Sequence, residues 1–132
     1  MNPEKNIESI VDPDGSNAAA DMETDANTRY VHMFKTPVTI NGTQHEKLTF
    51  DWGSLTGSDH LAIESEMLTH GKTLVTPAFT GEFLCGMAVR ACTNRDKNNI
   101  RVLDQNSMKA LPLRDFQAIC NKARNFLLRA EL

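Results

Sequence analysis

The groups able to do chemistry in this chain are four histidines, three cysteines, scattered serines and acids, and a cluster of bases near the C-terminus. Spacing decides what such groups can do. His32, His45, His60 and His70 form no HExxH pair, and none lies beside two cysteines, so no metal site is expected. His60 falls in the first turn of a predicted helix and His70 in its last, where solvated histidines are common and a protonated ring at the C-terminal end complements the dipole. Cys85 and Cys92 are seven residues apart on one side of a predicted helix, and Cys120 lies in an apolar stripe. All three read as small buried hydrophobes, whose burial raises the thiol pKa and removes nucleophilicity.

Nucleophile and nucleotide motifs are equally absent. There is no GxxxxGK[ST] loop and no GxGxxG, and Ser54, Ser58, Ser65 and Ser107 stand in no GxSxG elbow. Glu64 and Glu66 are two apart on a helix and diverge, so they make no carboxylate pair. The expectation is a protein without catalytic residues, cofactor or metal. Arg114, Lys122, Arg124 and Arg129 share one short helix but mix with Asp115 and Glu131, with no interleaved aromatic stacking set. A solvated basic face accounts for them better than a nucleic-acid surface does.

The charge is unevenly divided. The net charge of −3 over 132 residues separates into seven acids and one base in residues 1–28, and ten acids with thirteen bases in 29–132. An arm of −6 therefore precedes a body of +3. The arm has Ile7, Ile10, Val11 and Met22 as its only large apolar residues, too few to offset an ordering cost of about 1–2 kcal/mol per residue. It reads as a disordered acidic tail. The longest apolar run, Phe83 to Val89, is far short of the roughly 20 residues a membrane helix needs. The N-terminus lacks a basic and apolar leader, and three scattered cysteines make no disulfide framework, so a reducing cytoplasm is expected.

The elements that must position these residues follow from periodicity. Val31, Met33, Val38 and Ile40 alternate with His32, Phe34 and Thr39, broken at Pro37; after Asn41-Gly42, Leu48, Phe50 and Trp52 alternate with Lys47, Thr49 and Asp51. This is a hairpin over about 30–52, with Pro37 marking an edge strand or a bend. Thr56-Gly57-Ser58-Asp59 caps a helix over about 58–70, which Gly71 ends. Leu61 and Leu68 fall on one side of it, Ile63 and Met67 on the other. Pro77 starts a second helix, to about 93, apolar nearly all round from Phe79 to Cys92 and hence the core helix, with Gly86 allowing a close approach. A short turn near Asp104–Ala110 precedes a last helix over about 112–130. Its apolar arc runs through Leu113, Phe116, Ile119, Cys120, Ala123, Phe126, Leu127 and Ala130. The fold class is α+β, mostly α: one domain over 29–132, with the hairpin packed on about three helices.

Three stretches belong together: Lys35-Thr36-Pro37-Val38-Thr39-Ile40-Asn41-Gly42 with Leu48-Thr49-Phe50; Leu55-Thr56-Gly57-Ser58-Asp59 with Glu64; and Leu111-Pro112-Leu113-Arg114-Asp115-Phe116 with Asn125-Phe126-Leu127. In this order they resemble the tail assembly chaperones of Mu-like and related tailed phages. The likeness covers about residues 30–128 and leaves the acidic arm outside. It implies a non-enzymatic protein of the host cytoplasm, absent from the mature virion, that binds the tape-measure protein and promotes assembly of tail tube subunits around it. Self-association is expected. A structural tail or connector protein, and a small nucleic-acid-binding regulator using the last helix, are the alternatives. A holdase needs exposed apolar stripes. The residues expected to supply partner or oligomer contacts are Ile63 and Met67 on the first helix and Leu128 and Leu132 on the last.

Overall fold

The computed structural model describes residues 28–130. The acidic arm expected over 1–28 lies outside the described residues apart from Thr28, and so does Leu132. The fold is α+β: an antiparallel hairpin of β1 (Arg29–Ile40) and β2 (Thr43–Asp51), then helices α1 (Gly57–Thr69), α2 (Gly81–Ala91), α3 (Gln105–Lys109) and α4 (Leu113–Ala130).

Asn41 and Gly42 make the hairpin turn with φ of 50° and 86°, the pair of positive values that a two-residue type I′ turn requires. Next to the turn, Ile40 pairs with Thr43 and Val38 with His45; at the far end Met33 pairs with Lys47, His32 with Leu48 and Tyr30 with Phe50. Between these stretches Phe34, Lys35, Thr36 and Pro37 stand opposite Glu46 alone. Pro37 has no N–H for the ladder, which is why the irregularity falls here. The surplus is three residues, an odd number, and side chains alternate sides with period two, so it changes which residues of β2 share a face with the inward side chains of β1, which stay even-numbered from His32 and Phe34 to Ile40. An unbroken register from the turn would set Met33 across from Phe50. Instead His32 and Phe34 turn inward beside Leu48 and Phe50, and Val31 and Met33 turn outward. The apolar side expected of this part of the strand is thereby reversed.

Below the sheet, Phe50 stacks on Trp52 with ring centroids 5.2 Å apart, and Tyr30 on Phe50 at 6.2 Å. The far edge of β2 is sealed by the chain leaving α2: the Thr93 N–H donates to the Thr49 carbonyl at 2.8 Å and the Thr49 N–H to Asn94 Oδ1 at 2.8 Å. That pairing draws Cys92 into extended backbone and ends α2 at Ala91, two residues before the expected limit.

α1 is bounded as its sequence signals. Asp59 Oδ2 accepts the Thr56 N–H at 2.8 Å in a capping box, and at the other end Gly71, with φ of 75°, closes a Schellman motif through Lys72 N–H to Met67 O at 2.8 Å. α2 is the central helix, buried from Phe83 through Ala88 and again at Ala91. Its start is later than expected. Pro77–Phe79 form a separate 3-10 turn and Thr80 is extended, which leaves Phe79 exposed under the Arg124 guanidinium rather than in the core. In α4 the expected arc is buried at Ile119, Cys120 and Ala123, whereas Leu113, at the first turn, is exposed. α3, capped by Asp104 accepting the Ser107 N–H at 2.8 Å, adds Met108 to the core as a fourth helix.

Candidate functional site

The two sides of β1 carry the features that set the hairpin apart. On the inner side His32 is buried, with both ring nitrogens engaged. Its Nε2 lies 2.7 Å from Asp115 Oδ1 on α4, and its Nδ1 lies 2.8 Å from the Tyr30 hydroxyl. Ionised Asp115 only accepts, so Nε2 carries a hydrogen; in the neutral ring Nδ1 then accepts from the tyrosine. The Phe34 ring packs edge-on against the imidazole at 5.0 Å and Lys122 sits over the Tyr30 ring at 5.3 Å. Burial and the Asp115 charge raise the Tyr30 pKa, the opposite of what a phenolate nucleophile needs. This chain of hydrogen bonds is a clamp between β1 and α4. Its only sequence signal is the paired spacing of Tyr30 and His32 on a strand.

On the outer side Val31 is 49% and Met33 61% exposed, side by side along the strand, with Thr49 and Lys47 across from them and Arg29 opposite Asp51. Among the described residues β1 has one neighbouring strand, and its other edge makes no backbone hydrogen bond to another element. Lys35 and Pro37 blunt the half of that edge nearest the turn, by charge and by the missing N–H. Among the described residues the half from Arg29 to Phe34 is open. An uncovered sheet face bearing two large apolar side chains, beside an open edge, is suited to taking up an extended or apolar segment of another chain.

The residues expected to contact partners divide differently. Ile63 is 2% and Met67 5% exposed: both face inward, so neither can supply an exposed stripe. The reason is Gly86, where an added Cβ would lie 2.7 Å from Ile63 Cγ2; the side chain of Ile63 fills the notch that glycine leaves on α2. The outward apolar stripe of α1 is Leu61 and Leu68 instead, 64% and 63% exposed. Leu128 is partly exposed near the end of α4. Val31 and Met33 were not among the expected contact residues, because the alternation grouped them with Val38 and Ile40 on the apolar side, whereas the strand keeps His32, Phe34 and Ile40 inward.

The other candidates are occupied with structure. All three cysteines are free and buried. Burial pushes the Cys85 thiol up to about 12 and Cys120 up to about 11, and raises Cys92. His60 packs on the Phe83 ring at 4.8 Å, and His70 Nδ1 is 2.9 Å from the Glu66 carbonyl in the last turn of α1. A cleft of about 400 Å³ opens between α1, α2 and α3 above Ile63 and Met67, but three of its rim charges are tied together, Glu82 lying 3.1 Å from Lys109 and 3.8 Å from Lys72. Among the described residues no three His, Cys, Asp or Glu side chains converge to hold a metal ion. No helix among them is long and apolar enough to cross a membrane. Compared with protein-family models, curated proteins and solved structures, the chain matches none.

Proposed function

We propose that this chain is a non-enzymatic assembly chaperone, of the kind that serves the tails of tailed phages, and that it binds its client through the outer face and open edge of the hairpin. The observation that carries the reading is the uncovered face of Val31 and Met33 beside an unpaired strand edge. The resemblance to tail assembly chaperones supplies the client: a tape-measure protein, long and helical, with apolar surface to cover before tail tube subunits assemble on it. The residues that carry that resemblance do work in the fold. Pro37 sits in the irregular stretch of β1, Asn41-Gly42 make the turn, Thr56 and Asp59 cap α1, and the Pro112 carbonyl accepts the Phe116 N–H at the start of α4. Leu61 and Leu68 offer a second apolar stripe for self-association. The working site is host cytoplasm, with the protein left out of the finished particle.

The nucleic-acid alternative is less well supported. Two of the four bases on α4 are committed internally: Arg124 Nε donates to the Ala78 carbonyl at 2.8 Å, and Lys122 covers Tyr30. Co-expression with a tape-measure protein from the same genome tests the proposal. The wild-type chain should co-purify with it, and Val31→Asp with Met33→Glu should lose it at unchanged melting temperature. Retention of the client by that variant would refute the assignment of the surface. Stoichiometric presence in purified virions would instead favour a structural tail protein.

A further inference from the structure

We propose that the acidic arm, residues 1–27, docks on the outer face of the hairpin and covers Val31 and Met33 until a client displaces it. The inference rests on the reading of that face as the binding surface, and adds its regulation by the chain itself. Three observations argue for this occupant over others.

The first is charge. The arm carries −6, while the face presents Lys35 and Lys47 without an ion-pair partner among the described residues; Arg29 stands across from Asp51. The second is matched character. The arm's apolar residues are concentrated at Ile7, Ile10 and Val11 and are flanked by Glu8, Asp12 and Asp14, the complement of two exposed apolar side chains flanked by lysines. The third is attachment. The arm joins the body at Thr28, at the open end of β1. The 17 residues from Asp12 to Thr28 reach about 55 Å when extended, more than the roughly 40 Å length of the 12-residue strand, so Ile7–Val11 can lie anywhere along it. The basic side of α4 is the rival position. With Lys122 and Arg124 already committed it offers Arg114 and Arg129, no more bases than the hairpin face, and no paired apolar side chains beside them.

The test uses the full chain. The native cysteines are buried, so Ser9→Cys provides one reactive thiol for a nitroxide label. Docking predicts loss of amide signal intensity at Val31, Met33, Lys47 and Thr49, restored by high salt and by Lys35→Glu with Lys47→Glu. Unchanged intensities, or losses centred on Arg114 to Arg129, would overturn the proposal. Losses that appear only when unlabelled protein is mixed with nitroxide-bearing copies would overturn it too, in favour of a second copy as occupant. Co-purification of the tape-measure protein, measured on the same samples, separates the two ideas. Client binding without arm docking removes the inference alone; arm docking without client binding removes the chaperone reading and leaves the docking intact.

Discussion

Replacing Gly86 by alanine tests the packing that places every other helix. The new Cβ would stand 2.7 Å from Ile63 Cγ2 and 3.2 Å from Cγ1, closer than side-chain carbons approach. Ile63 is buried and branched at Cβ, so it has no rotamer that clears both contacts. Overpacking of this kind costs about 1–3 kcal/mol. Removing glycine from a helix interior returns about 1 kcal/mol. The net expectation is a loss of about 0–2 kcal/mol, centred near 1, or a fall in Tm of about 5 °C for a domain of this size. Gly81→Ala is the control: its Cβ would meet nothing within 4 Å and its φ is not positive, so a gain of about 0.5 kcal/mol is expected. Urea unfolding followed by far-UV circular dichroism measures both. Ile63→Ala in the Gly86→Ala background should recover about 1 kcal/mol or more relative to additivity. If Gly86→Ala is as stable as Gly81→Ala, or the pair shows no coupling, then Ile63 does not fill the notch and the assignment of its face as internal fails.

Three further outcomes are expected. The Arg90 side chain and the Thr56 N–H hold the Asp59 carboxyl below its ordinary 3.8, so its contribution is present above that range and is lost as pH falls through the lowered folded value. Asp59→Asn should therefore flatten the decline of Tm below about pH 4, and a decline parallel to the wild type would contradict this. With thiols raised by burial, a disulfide exchange reagent at mildly alkaline pH should label none of the three cysteines in the native protein and all of them in urea; rapid native labelling would refute their placement. Asp115→Ala strands a buried imidazole N–H and should cost about 1–3 kcal/mol, with Asp115→Asn milder because it keeps an acceptor. An unchanged Tm in Asp115→Ala would remove the clamp as a stabilising contact.

Local chemistry made much of this fold legible in advance. Asn41-Gly42 admits the positive φ values of a tight turn, Thr56 and Asp59 can satisfy each other at a helix start, Gly71 can end that helix, and the apolar wrap of Phe83 to Ala88 leaves α2 nowhere to lie but the centre. These signals act over one to four residues, and a linear chain carries them whole. The same holds for the burial of the cysteines, because each falls within an apolar stripe.

The faces were another matter. α1 is apolar on two sides, and nothing in its own sequence says which side meets the core; Gly86, more than 20 residues away, decides it by offering a notch that Ile63 fills and leaving Leu61 and Leu68 outside. Likewise Pro37 announced a disturbance in β1 but not its size. Three surplus residues rather than two set His32 across from Leu48 on the inner face, where it links to Asp115, with Val31 and Met33 on the open surface. Hydrophobic pattern thus determined where strands and helices form, because periodicity is local. Which side of each became the site was settled only by long-range register and packing, because a parity change or a single missing Cβ acts on residues far away in the chain.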